Sequence, residues 1–126
     1  MTTSTKRVRG LGAAGSGTHH HIRQRVTALA LVGLVPWFLF SILQAGKAGY
    51  AGALAWVAQP VNAILLILTL SAALYHMRLG LQVVIEDYIA RNSTRQALLI
   101  LNTFAVFVLA VATILSVLKI WFTAGA

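Results

Sequence analysis

Residues that could do chemistry cluster in one stretch, Tyr75 to Tyr88, which follows a long apolar run and holds His76, Arg78, Gly80, Gln82, Glu86, Asp87 and Tyr88. His76 is the only histidine outside the N-terminal tail, and Glu86 and Asp87 are the only acidic residues of the chain. An imidazole set in apolar surroundings has three readings of equal weight: a structural hydrogen bonder between helices, a member of a proton relay, or an axial ligand of a haem iron. A haem held by two histidines would need its second one from another polypeptide. The Arg78, Gln82 and Glu86 series has a plainer reading, a solvated and ion-paired turn at a membrane interface.

These residues need a helix to position them. Pro60 is well placed to start one. His76 then lies roughly 24 Å along the axis and Tyr88 about 18 Å further, at about 1.5 Å per residue. Against a hydrocarbon core of about 30 Å, His76 sits in the inner half, Arg78 near the inner border, and Gln82 to Tyr88 among the headgroups. At about 100° per residue, Gly80 is within about 40° of His76 and Asp87 within about 20°, whereas Arg78 points about 200° away. Gly80 leaves a shallow groove beside His76, open to a flat ligand or another helix. His76 and Arg78 therefore do not belong to one compact site.

The rest of the chain has the composition of a membrane protein. It is 59% hydrophobic and 10% charged, too few charges to cover a water-soluble globule of 126 residues. The net charge of +8 could suit nucleic acid, but the placement of the cations argues against that partner. Lys6, Arg7, Arg9, Arg23 and Arg25 stand in the N-terminal tail, and Arg91 and Arg95 between the last two apolar runs. Lys47 and Lys119 stand alone in the segments that alternate with these. That asymmetry is the one seen in cytoplasmic loops of membrane proteins. With no cysteine, the chain offers no disulfide, thiolate metal site or iron–sulfur ligation of its own.

Three apolar runs predict an all-α integral membrane protein with three transmembrane helices, spanning approximately 26–43, 60–85 and 97–122, and a cytoplasmic N-terminus. Residues 1–22 read as a basic polar tail, mobile from Met1 to Gly17, and 23–126 as the membrane domain. The first apolar run begins too late and runs too long for a cleaved signal peptide. His19, His20 and His21 read as a polar interfacial cluster rather than a metal site, because adjacent residues do not share a helix face. Pro36 predicts a kink in the first span. The Gly/Ala-rich segment Gln44 to Val57 reads as an interfacial connection, and Arg91 to Arg95 as a polar turn.

The series His76, Gly80, Gln82, Asp87, Tyr88 resembles the second helix of the succinate dehydrogenase hydrophobic membrane anchor family, the D subunit of succinate:quinone oxidoreductase (complex II). Gly17 and His19 (or His20), followed by Arg25, Val26, Thr27 and Ala28, are similar to the segment entering that family's first helix. The likeness covers roughly residues 17 to 122. It implies that His76 is one axial ligand of a haem b shared with the cytochrome b-type C subunit, with Gly80 packing against the haem. It also implies that Tyr88, with Asp87 beside it, borders the site for ubiquinone or another quinone. Arg25 and Arg78 would contact headgroups or neighbouring subunits. The implied partners are the C subunit, the iron–sulfur subunit, the flavoprotein subunit and the lipid bilayer, with no nucleic acid. The chain would carry no catalytic residue by itself. The implied location is the bacterial cytoplasmic membrane, ahead of the mitochondrial inner membrane. The anchor of a fumarate reductase, or a small non-redox membrane protein with a structural histidine, are the alternatives.

Overall fold

The computed structural model of the chain describes residues 17–124. The expectation of a mobile segment from Met1 to Gly17 concerns residues outside this range, Gly17 excepted. Four helices follow one another: α1 (Gly17–Lys47), α2 (Gly49–Ala58), α3 (Pro60–Tyr88) and α4 (Asn92–Thr123). By length and composition α1, α3 and α4 can each cross a membrane. The chain is an all-α membrane protein with three spans, as its apolar runs predict. Helix is the conformation a single apolar segment must take in lipid, where no water satisfies a free N–H or C=O. At about 1.5 Å per residue these helices are about 43–48 Å long, so each projects beyond a hydrocarbon layer of about 30 Å. The polar residues from Gly17 to Arg25 extend α1 in this way. Pro36 lies inside α1, which continues through it as one helix.

The connections are tight, and their residues explain why. Between α1 and α2 the chain turns at Gly49, whose φ of +71° is costly for any residue with a Cβ. Three residues on, a Cβ at Gly52 would collide with that of Ala48. The segment expected to be an interfacial connection is thus mostly helical, shared between the end of α1 and the ten residues of α2. Pro60 is the first residue of α3. The carbonyl of Trp56, left over at the end of α2, accepts hydrogen bonds from the Gln59 N–H (3.3 Å) and the Asn62 side chain (3.0 Å). At the other turn only Ile89, Ala90 and Arg91 separate α3 from α4. Arg95 folds back from the first turn of α4 and donates to the carbonyls of Ile89 (2.9 Å) and Ala90 (3.5 Å). Asn92 to Arg95, expected to be turn, therefore open the helix.

α3 is the middle helix. It packs on α1 along one side and on α4 along the other, while α2 touches all three at the far end. Among the described residues α1 and α4 do not pack on each other. The apolar core gathers near α2, where Ala63, Leu66 and Val117 are buried against Phe38, Trp56 and Trp121. Trp37 and Trp56 add a tilted ring contact with centroids 5.8 Å apart. Away from this corner the row of helices exposes large side chains such as Leu29, Phe40, Phe104 and Phe107. Such surfaces belong against lipid or other helices.

Candidate functional site

The far end of the row, opposite α2, carries His76, Arg78, Gln82, Glu86, Asp87 and Tyr88. The N-terminus of α1, the C-terminus of α3 and the N-terminus of α4 meet there, and the two sides of α3 meet different partners.

On the α1 side, His76 is half-buried, and its Nδ1 lies 3.0 Å from Thr27 Oγ1. Thr27 is seven residues after His20 and three after Gln24, so all three fall within about 60° of one another on α1. They form a polar stripe along the seam with α3. His20 Nε2 and Gln24 Oε1 are buried with no hydrogen-bond partner among the described residues. Gly80, one turn beyond His76, faces the same stripe: a Cβ built on it would meet only Gln24 Nε2, at 3.9 Å. The histidine triplet is divided by the helix. His20 turns into the seam, while His19 and His21 are exposed.

His76 Nε2 makes no hydrogen bond among the described residues, and it is not among the buried unpaired atoms. It therefore opens at the chain's surface. Among the described residues no three His, Cys, Asp or Glu side chains are grouped to hold a metal ion.

On the α4 side, Arg78 donates to Thr103 Oγ1 through Nε (3.4 Å) and a terminal nitrogen (3.3 Å). The buried Asn102 amide donates to the Arg78 carbonyl at 3.0 Å. An open, apolar groove of about 330 Å³ lies beside this cluster, against Val106 and Phe107. Glu86 accepts from Gln82 at 2.9 Å, one helical turn back. Arg78 lies two turns back from Glu86, about 12 Å along the axis, and turns to Thr103 of α4.

Asp87 and Tyr88 close α3, and both are exposed, Tyr88 at 81%. No side-chain hydrogen bond engages either among the described residues. Arg25 is likewise exposed on α1. The sequence singled out His76, Gly80, Arg78, Asp87 and Tyr88, and the structure distributes them over two seams and one helix end. Gln24 and Thr103 were given no functional role in that reading, and Thr27 entered it only within the segment likened to the family's first helix. The available signal was the spacing of His20, Gln24 and Thr27, since polar residues in a span face the interior rather than lipid.

A multi-pass membrane protein is defined by this arrangement: three spans in a row, with the half-buried imidazole of His76 on the middle helix. Residues 1–118 match the family described as the succinate dehydrogenase/fumarate reductase transmembrane subunit, and the chain belongs to that family. Its relatives include succinate dehydrogenase hydrophobic membrane anchor subunits. That of Rickettsia bellii is 41% identical over 95 residues, covering 75% of each chain. That of Rickettsia conorii is 36% identical over 71% of this chain and 72% of its own. The Paracoccus denitrificans subunit is 32% identical over 79% of this chain and 77% of its own.

Proposed function

We propose that the chain is the membrane anchor of a succinate:quinone oxidoreductase, in which His76 ligates a haem b and Asp87 and Tyr88 border the quinone. The observation carrying this reading is the setting of His76. One ring nitrogen is tied within the chain and the other makes no hydrogen bond among the described residues, while Gly80, one turn on, adds no side chain. Haem suits this donor set, because the porphyrin supplies four ligands and the protein need supply only one or two. Bound there, haem would provide a one-electron redox centre beside the quinone site.

The chain's own share of the work is anchoring and orienting. His76 would hold the iron together with a histidine of the C subunit. Tyr88 would donate a hydrogen bond to a quinone carbonyl, stabilising the charge that gathers there as electrons arrive. The exposure of Tyr88 and Asp87 leaves both free for a quinone covered by the C and iron–sulfur subunits. Electrons would come from succinate through the flavoprotein and iron–sulfur subunits, coupling the citric acid cycle to the respiratory chain. The basic segments around Arg25 and Arg91 favour a cytoplasmic N-terminus, which puts Tyr88 at the cytoplasmic face of a bacterial inner membrane. The family description spans both reaction directions. The names of the relatives favour succinate oxidation.

The Thr27–His76 contact also fits a second reading, a purely structural histidine between helices. One preparation separates the two. The complex purified through this chain should carry flavoprotein and iron–sulfur partners and a b-type spectrum, and His76→Ala should lower haem content. An unchanged spectrum and full haem in that variant would sink the ligand assignment.

A further inference from the structure

Thr27 makes three close polar contacts. Its Oγ1 lies 2.9 Å from the carbonyl oxygen of Arg23, 3.0 Å from that of Gln24 and 3.0 Å from His76 Nδ1. The hydroxyl has a single proton to share among them. Both carbonyls can only accept, so an oxygen this close to the two of them must point its proton their way or suffer lone-pair repulsion. Donation to the preceding turn is the usual habit of a threonine within a helix. With the proton committed there, Oγ1 has only lone pairs left for His76, and Nδ1 must be the donor. A neutral imidazole carries one N–H. Nδ1–H therefore leaves Nε2 deprotonated, with its lone pair directed to the outer face.

We infer that Thr27 is a positioning residue for His76, accepting its Nδ1–H and so holding the ring in the tautomer and orientation in which Nε2 can bind the haem iron. This inference rests on the haem reading of the preceding subsection and adds a residue to it, on another helix. An acceptor on the far ring nitrogen also makes the ligating nitrogen a stronger donor, which favours the ferric state. In most metal-bound histidines that acceptor is a carboxylate, carbonyl or water. Here no carboxylate lies nearby: Glu86 and Asp87 are exposed toward the end of α3. The threonine, anchored by its own bonds to α1, takes the place of one.

The test uses the purified complex carrying Thr27→Val, which keeps the branched shape and removes the acceptor, and Thr27→Ser, which keeps the hydroxyl. Haem content, haem midpoint potential and low-spin electron paramagnetic resonance signals are measured for each. In Thr27→Val the apparent affinity for haem should fall about 10–100-fold, the range for losing such a partner. The midpoint potential of the haem that remains should move upward. Thr27→Ser should restore both toward the wild-type values. Succinate oxidation by an artificial acceptor reports whether each complex has assembled. Should Thr27→Val not assemble, Thr27→Ala removes the same hydroxyl with less to place in the seam. Wild-type haem content and potential in a variant without the hydroxyl would overturn the role of Thr27, provided His76→Ala loses the b-type spectrum. If His76→Ala also keeps that spectrum, it is the haem reading that has failed, and the two failures are told apart.

Discussion

Asn102 reaches from α4 to the main chain of Arg78 on α3, its amide nitrogen 3.0 Å from the carbonyl oxygen, while the Arg78 side chain reaches back to Thr103. Neighbouring residues thus exchange bonds in both directions across one seam. The two contacts differ in worth. Asn102 is buried, and its partner is a backbone oxygen fixed by the helix. The Arg78–Thr103 contacts are longer and exposed.

Asn102→Ala is therefore expected to destabilise the isolated subunit by about 0.6 kcal/mol and at most about 1.7 kcal/mol, the range for hydrogen bonds between membrane helices. A double-mutant cycle of Arg78→Ala and Thr103→Val should give a coupling below about 0.5 kcal/mol. Unfolding in mixed detergent micelles measures both. A larger coupling for Arg78 and Thr103 than the whole effect of Asn102→Ala would show that burial is not what ranks them.

Gly80 separates the demands of this chain from those of a ligand. Its only near neighbour at the Cβ position is Gln24 Nε2, at the ordinary contact distance of 3.9 Å. Gly80→Ala should leave the subunit as stable as before, or raise its stability by about 0.5–1 kcal/mol through better helix propensity. Gly80→Leu should lower haem content in the complex while the helical circular dichroism of the subunit stays unchanged. Full haem content in Gly80→Leu would mean that no ligand lies along this face.

Tyr88 has no partner to lose within the described residues, so its substitution should not harm the fold. For Tyr88→Phe the quinone reductase rate of the complex is expected to fall at least about tenfold, equivalent to about 1.4 kcal/mol of transition-state stabilisation. Succinate oxidation by an artificial acceptor should persist. Asp87→Asn should give a smaller loss in the same assay. Equal loss of both activities in Tyr88→Phe would point to failed assembly in place of a missing hydrogen bond.

The architecture was legible because lipid simplifies the code. A run of apolar residues in a membrane has one backbone solution, and Pro60 marks the start of α3 where its missing N–H is harmless. The ends of the helices were less legible. Gly17 to Arg25 and Asn92 to Arg95 are polar, and hydropathy cannot distinguish a polar helix end from a polar turn. What decides the second case is Arg95, whose bonds to Ile89 and Ala90 shorten the turn to three residues. Helical angles set His76 and Arg78 on different sides of α3, but no angle within one helix names the residue facing it. Thr27 and Thr103 are separated from their partners by 49 and 25 positions. Such pairs depend on which helices pack together, and a single sequence without packing does not contain that choice.

The 49 positions from Thr27 to His76 are also an interval of time during biosynthesis. At about 5–20 residues per second, a ribosome needs about 2–10 s to make them. Through that interval α1 presents His20, Gln24 and Thr27 with no α3 packed against them. Among the described residues α4 does not pack on α1, so it adds no contact to that stripe when it follows. When the histidine helix arrives it gives a partner to Thr27 alone, and His20 Nε2 and Gln24 Oε1 stay unpaired among the described residues.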